Sequence, residues 1–419
     1  MSIDYNKIFE VSDSYQAPSK LMEILFDKEK REVLFMKLLR VNNMNVDFDW
    51  FHEYFQNEHA DRKEKKQDFT PECVCDLVSK LVMNSKGDNG NYYEICAGTG
   101  GMMIKHWDNF RKTFSPFDYE PKYHFAFVEE LSDRTVSFLL LNMMIRGMNG
   151  IVIHGNSLTR ECKNAYFICN TKNDNLQFSE ISVIPHDDLF GKKLMLFDRI
   201  IANPPYSLKN WGREEASNDE FGRFRFGLPP ANVRDYAFVQ HMLATLSHTG
   251  KAGVVLPHGV LFRGKAEGKI RQELIKEDLI EAIIGLPSAL FYKTNISVII
   301  IIYNKDKEEE RKDKIFFIDA SLDYQKEKNQ NVLRDEDVEK IISTFNNYEE
   351  IEKYSRIVTL DEIKENDYNL NISRYIDTTE EEEQIDVAQA IKELKQLEQE
   401  RNEIEATMYG FLKELGYCE

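Results

Sequence analysis

The stretch RIIANPPYSLKNW (199–211) is an apolar run that ends on an asparagine and two prolines. Proline has a fixed φ and no amide hydrogen, so it is confined to the ends and edges of sheets. The run therefore reads as a strand that stops at Ala202, with Asn203-Pro204-Pro205-Tyr206 as a stiff turn beyond the sheet. Similar apolar runs recur along the chain: NYYEICAG, HFAFVEEL, IVIHGN, KAGVVLPHGVLF, LIEAIIGLP and ISVIIIIYN. Helical patterns such as DRTVSFLLLNMMIRG and RDYAFVQHMLATL fall between them. That alternation predicts an α/β fold, a mainly parallel sheet covered by helices. Ligands of such sheets sit at the carboxyl ends of the strands, where the winding reverses.

Four pieces are expected. Residues 1–68 form a helical region, because LMEILFDKEKREVLFMKLLR repeats apolar residues every three to four positions. Residues 69–305 hold the alternating units. Residues 306–378 are mixed and polar, and 379–419 read as one long helix. At the start of the second piece, Thr70 is expected to cap a helix with Pro71 in its first turn.

In the tail, Val387, Leu394, Met408 and Leu415 fall on one seam position of a heptad. Ala390, Leu397, Ile404 and Phe411 fall on the other, and only Arg401 breaks the repeat. So narrow an apolar stripe on so long a helix needs a partner surface.

The net charge of −18 argues against a self-sufficient nucleic-acid binder. It is unevenly placed, however. Residues 377–405 carry 11 acidic and 3 basic side chains, hence −8 of the total. Six scattered cysteines include one close pair, Cys73 and Cys75, and no second pair or histidine cluster completes a metal site, so no metal is expected. No run of about 18 apolar residues marks a membrane span. The amino-terminal MSIDYNKIFE lacks a basic-then-apolar leader, so a cytoplasmic protein with reduced thiols and no membrane partner is expected.

Three strand ends carry chemistry. Glu94-Ile95-Cys96-Ala97-Gly98-Thr99-Gly100-Gly101 is a strand followed by a GxGG turn, which lets a cofactor approach the backbone. The second strand ends in Glu129-Glu130, where an acid can accept both hydroxyls of a ribose. The third ends in Gly155-Asn156-Ser157, whose amide can meet the edge of a purine.

At Asn203-Pro204-Pro205-Tyr206 the prolines remove donors and leave acceptors, the Asn203 side-chain oxygen and the Pro204 carbonyl. Two converging acceptors suit an exocyclic NH2, holding both hydrogens and turning the lone pair toward an electrophile. Tyr206 offers a ring on which a base can stack.

In this order, GxGG, the second-strand acid and NPPY resemble amino-methyltransferases that use S-adenosylmethionine. Phe69-Thr70-Pro71 upstream matches the γ arrangement of N6-adenine DNA methyltransferases. RFRFGLPPANVRDYAFVQHML, GKAGVVLPHGVLFRG, LIEAIIGLPSALFYKTNISVIIII and DYNLNISRYID are similar to the methylation (M) subunit of type I restriction–modification systems, over roughly residues 67–377.

The resemblance implies a Rossmann-like methyltransferase sheet with an N-terminal helical region and a C-terminal long helix. It implies S-adenosylmethionine as cofactor, held by Phe69, Thr70, Pro71, Glu94, Gly98, Gly100, Glu130, Asn156 and Asn203. The target adenine would be held by Asn203, Pro204, Pro205 and Tyr206, with Phe291 (or Tyr292) as a second aromatic. Backbone contacts to double-stranded DNA are expected from Lys209, Arg223, Arg225, Arg263 and Lys265, with Arg213, Lys269 and Arg271 nearby. Partners implied are a specificity (S) subunit docked on the C-terminal helix, a second M subunit and a restriction subunit.

This chain has Glu94 and Asn156 where the family usually has Asp, and a shorter region before Phe69. Two other readings fit an NPPY turn: methylation of a protein glutamine or an RNA guanine, and a non-catalytic assembly subunit.

Overall fold

The computed structural model describes residues 3–52, 54–55, 70–83, 91–185, 194–206, 211–291, 296–328, 330–378 and 387–417. The chain divides into two compact units, Met1–Asp377 and Thr378–Glu419. Residues 1–68, 69–305 and 306–377 all belong to the first.

The first unit opens with helices α1 (Tyr5–Phe9), α2 (Ala17–Leu25), α3 (Lys28–Val41) and α4 (Glu72–Val82). Then come β1 (Asn91–Ile95), α5 (Gly101–Arg111), β2 (Phe125–Glu130), α6 (Val136–Ile145) and β3 (Asn149–Asn156). After these the chain doubles back as β4 (Glu161–Cys169) and β5 (Glu180–Val183). The second half runs β6 (Phe197–Ala202), α7 (Arg213–Ala216), α8 (Asp235–Thr245), β7 (Leu246–Pro257), α9 (Lys265–Lys276), β8 (Ile280–Gly285) and β9 (Val298–Asn304). It closes with β10 (Lys314–Asp319), a small β11–β12 ribbon (Gln325–Lys326, Asn331–Val332), α10 (Asp335–Asn347), β13 (Ser355–Thr359) and α11 (Leu360–Glu365).

Eleven strands form one sheet in the order β13-β10-β8-β9-β7-β6-β1-β2-β3-β4-β5. Its centre, β3-β2-β1-β6-β7, is parallel. On one flank β4 runs against the centre and β5 returns beside it, and on the other β9 and β13 run against the centre. The sheet is therefore mixed rather than mainly parallel. The expectation missed the flanks because β4, ECKNAYFIC, sits near an edge with a half-exposed face and reads as polar.

The central strands are apolar on both faces because helices cover both. Tyr92, Val128, Val152 and Ile201 point into one core. Their neighbours Tyr93, Phe127, Ile153 and Ile200 point into the other. The first core also takes in the N-terminal helices: Phe9 and Phe51 pack edge-on against Phe138 of α6, at 5.8 and 4.9 Å between ring centres. Residues 5–55 thus share the core of the sheet instead of building their own.

The winding reverses between β1 and β6, which pair in parallel through Tyr92–Arg199 and Tyr93–Ile200. The GxGG turn and the Asn-Pro-Pro-Tyr turn consequently leave the same edge side by side.

The second unit contains α12 (Val387–Glu414). Its seam residues Leu394, Leu397, Ile404, Met408, Phe411 and Leu415 are 48–71% exposed. No described helix is long and apolar enough to cross a membrane.

Candidate active site

At the end of β1 the backbone turns sharply, with φ of 57° at Cys96, 59° at Gly98 and 93° at Gly100. Gly100 is required twice over. Its φ lies in the left-handed region, and a Cβ there would come within 2.9 Å of Leu139 and Met103. The turn feeds α5, whose N-terminal amides face a cavity of about 400 Å³. Thr70, Glu94, Gly98, Glu129, Glu130, Asn156, Asn203, Pro204, Pro205 and Tyr206 line that cavity together. Of the residues expected in the site, Phe69, Lys209 and Tyr292 lie outside the described residues.

The two acids ending β2 have different tasks. Glu130 accepts the amides of Gly98 and Ser132, each at 2.7 Å, so its carboxylate staples the glycine turn to the strand. The Thr135 hydroxyl and the Leu131 amide also lie against this carboxylate. Burial raises its pKa against those hydrogen bonds. Glu129 instead accepts from the Tyr93 hydroxyl at 2.9 Å and from Arg160 at 2.8 Å.

Glu94 is buried beneath the turn and accepts from the Tyr92 hydroxyl at 2.6 Å. Burial pushes its carboxyl up to about 8. It forms no ion pair among the described residues, so a ligand cation would relieve its desolvation. Asn156 Oδ1 accepts the amides of Leu158 and Thr159 at 3.0 and 3.3 Å, closing the turn after β3. Its side-chain NH2 is what it can present to a base edge.

The Asn203 side chain is held at both ends. Nδ2 donates to Thr70 Oγ1 at 2.8 Å, and Oδ1 accepts from the Tyr206 hydroxyl at 2.5 Å. Thr70 is therefore not a helix cap. Pro71 occupies the N-cap position of α4, with no side-chain hydrogen bond there, and the Thr70 hydroxyl is turned to the NPPY turn. Phe291 is buried edge-on to Tyr206, 6.5 Å between ring centres.

Further residues of the cavity wall escaped the sequence reading, the titratable Asp49, His52, Asp133, Lys163 and Arg234 among them. Asp49 lies some 50 positions before the GxGG turn, and no local motif marks it. Arg234 stands just before α8 with its guanidinium 4.9 Å from the Phe238 ring, and burial lowers its pKa.

Two of the residues expected on the DNA backbone serve the interior instead. Arg223 is 5% exposed and binds Asp219 and the carbonyls of Ser157 and Leu158. Arg263 is committed to Glu267 and Asp235. The Arg223 guanidinium, bonded through all three nitrogens, has no donors to spare for phosphate, whereas Arg263 is engaged through Nε and Nη2 and its side chain stays 29% exposed. Nearby Arg271 is likewise buried against the carbonyls of Val260, Arg263 and Tyr368. Arg225 is exposed but paired with Glu277 at 2.8 and 2.5 Å, and Lys265 is exposed at the start of α9.

A doubly wound sheet whose switch-point cavity joins a glycine turn, strand-end acids and an Asn-Pro-Pro-Tyr turn defines a Rossmann-like methyltransferase. The model of the N-6 DNA methylase family matches residues 46–384, and the chain belongs to that family.

It is 32% identical to the MjaVII type I restriction enzyme methylase subunit of Methanocaldococcus jannaschii, across 97% of this chain and 68% of that protein. It is 28% identical to the MpnII methylase subunit of Mycoplasma pneumoniae across 76% of this chain. It spans 59% of the MjaVIII relative and 54% of the MpnII one. Among solved structures, the type I restriction–modification methyltransferase subunit of Streptococcus thermophilus superposes with a TM-score of 0.59 at 32% identity, covering 74% of this chain and 59% of that one. The EcoKI M protein shares the fold, with a TM-score of 0.52 at 18% identity over 79% of this chain and 71% of that one.

Proposed function

We propose that the chain is the modification subunit of a type I restriction–modification complex and methylates N6 of adenine in double-stranded DNA, with S-adenosylmethionine as donor. The observation that carries this is the meeting of the GxGG turn, the strand-end acids and Asn203-Pro204-Pro205-Tyr206 around one cavity.

The residues fit the cofactor. Gly98 leaves the backbone bare on the cavity wall, Gly100 supplies the left-handed turn, Glu130 offers a carboxylate on that wall for the ribose, and Glu94 is a buried acid awaiting a cation. Asn156 and Thr70 complete the wall. When bound, the cofactor supplies the activated methyl group.

The protein supplies position. An adenine must leave the duplex stack, which costs a few kcal/mol. Tyr206 recovers about 1–3 kcal/mol by stacking, with Phe291 backing its ring. The Asn203 Oδ1 and the Pro204 carbonyl accept the two amine hydrogens and aim the nitrogen lone pair into the cavity. No strong base is needed, because the proton can leave after transfer.

Target choice belongs to a specificity subunit. The exposed seam of α12 is suited to docking on its helices, and a second modification subunit and a restriction subunit complete the assembly, in the cytoplasm. Removing residues 380–419 should leave a folded, cofactor-binding protein that no longer co-purifies with that subunit. Undiminished co-purification refutes the docking role.

The test of the reaction is Asn203→Ala in the co-expressed complex. Transfer of labelled methyl to DNA should vanish while calorimetric S-adenosylmethionine binding persists. Activity within about tenfold of wild type, or about 1.4 kcal/mol of barrier, sinks the assignment.

A further inference from the structure

The segment that follows α3, around Asp49, has a task at the cavity that the sequence reading did not assign. Asp49 lies on the cavity wall beside His52, yet its carboxylate is spent on the glycine turn. One oxygen accepts from the Thr99 hydroxyl, and the other accepts from Asn142 Nδ2 at 3.0 Å. That same Asn142 amine donates to the Thr99 carbonyl at 2.7 Å. Arg146, one turn further along α6, fixes the Asn142 amide by donating to its Oδ1 at 2.8 Å. Its remaining donors reach back to the carbonyls of Val46 and Phe48, at 2.8 and 2.6 Å.

The network closes on itself through three elements: the 46–49 segment, the Thr99-Gly100 turn and α6. Thr99, Asn142 and Arg146 are 1%, 0% and 5% exposed, so their polar groups have no water to fall back on. Moving the 46–49 segment away strands buried donors on the other two, the Thr99 hydroxyl and the Asn142 and Arg146 N–H groups, at roughly 1–3 kcal/mol for each unsatisfied group. The family match begins at residue 46, so this segment belongs to the family's part of the chain and is not an appendage to it.

We propose that Asp49 is a positioning residue for the cofactor turn, and that through it the amino-terminal segment and cofactor occupancy are energetically coupled. This rests on the cofactor reading above. By linkage, whatever docking of residues 46–55 does for cofactor affinity, the cofactor does for their docking. A ligand seated against Gly98 to Gly100 loads the turn, the turn loads Asp49, and the segment tightens. The N-terminal region thereby reports whether the methyl donor is in place.

The experiment uses the full chain. Calorimetry with S-adenosylmethionine compares wild type, Asp49→Ala and Asp49→Asn. Hydrogen exchange of residues 46–55 is followed in wild type with and without the same ligand. Asp49→Ala should raise the dissociation constant by tenfold or more. Asp49→Asn can keep its oxygen for Asn142 Nδ2 and donate its NH2 to the Thr99 hydroxyl, which can turn to suit, and should stay within about threefold.

Wild-type amides in residues 46–55 should slow when ligand is added, and in Asp49→Ala they should not. A dissociation constant within twofold in Asp49→Ala, or exchange of that segment indifferent to ligand in wild type, overturns the proposal. Should Asp49→Ala fold poorly, the wild-type exchange and Asp49→Asn still decide. If wild type itself binds no S-adenosylmethionine, the cofactor reading fails, and this inference falls with it.

Discussion

Tyr206→Phe is the substitution whose outcome the site geometry predicts most sharply. The Tyr206 hydroxyl donates at 2.5 Å to Asn203 Oδ1, the very oxygen assigned to the target amine. In the protein alone the hydroxyl takes one of the two lone pairs of Oδ1, and an incoming amine competes with it for that oxygen. A hydrogen bond of this kind contributes about 0.5–1.5 kcal/mol net to the folded protein. Removing it should lower stability by that amount. The same amount is returned when the base binds, because nothing then competes for Oδ1.

The gain corresponds to roughly two- to thirteenfold in affinity for an extruded adenine at most. The ring stays, so stacking worth about 1–3 kcal/mol is retained, as is the edge contact with Phe291. Tyr206→Ala removes both and should lose at least that stacking energy, roughly 5- to 150-fold. Single-turnover transfer of labelled methyl to duplex DNA, with the specificity partner present, measures both variants against wild type. Tyr206→Phe should match or exceed wild-type kcat/KM. A loss beyond about tenfold would show that the hydroxyl works in the transition state and is no placeholder. Equal rates for the two variants would remove the stacking role.

Glu130→Ala deletes the acceptor of the Gly98 and Ser132 amides together with the ribose contact, so S-adenosylmethionine binding by calorimetry should weaken at least tenfold. Glu129→Ala should weaken it less, because Glu129 answers to Tyr93 and Arg160; the reverse ranking means the wrong acid was chosen. The carboxyl of Glu94 sits at about 8 in the folded protein against an ordinary 4.5, so the folded state holds this proton more tightly than the unfolded chain. Stability of the ligand-free protein should fall as pH rises from about 4.5 through about 8, while a cationic ligand meets an ionised Glu94 only at the upper end. The melting-temperature rise given by S-adenosylmethionine should therefore grow across that window, and Glu94→Gln should flatten it; an equal pH trend in the variant refutes the role. Duplex binding by the chain alone, followed by fluorescence anisotropy at physiological salt, should be weaker than about 1 µM, since the net charge is −18 and Arg223 is spent inside. Tighter salt-sensitive binding without a partner would contradict that.

The parallel centre of the sheet was legible because both its faces are buried. β1, β2, β3, β6 and β7 are continuous apolar runs that no amphipathic helix would show. Of the flanks only β8 and β9, in LIEAIIGLP and ISVIIIIYN, were legible; β4, β5, β10 and β13 were not. In β4 the residues Cys162, Lys163 and Asn164 carry no alternation, and pairing with β3 is what makes a strand of them. β10, KIFFID, and β13, SRIVT, are short and set in polar sequence, and only the register Ile315–Val358 joins them. Pairing partners some 40 residues apart leave no local trace.

The site divides along the same line. Glycines and prolines announce backbone conformations, so Gly98, Gly100, Pro204 and Pro205 could be placed from sequence alone. A charge announces nothing about its partner. Arg223 and Arg263 read as two more basic side chains in loops near the strand ends, and each proved to be an internal tie, Arg223 to the turn after β3 and Arg263 to the start of α8. Asp49 read as one acid among many, and it reaches the cofactor turn only because the N-terminal helices share the sheet's core. These ties hold the strand-end loops in shape. Grip on the DNA backbone must then come from residues outside that set, and a chain that has spent its arginines on shape gains from a partner that brings its own.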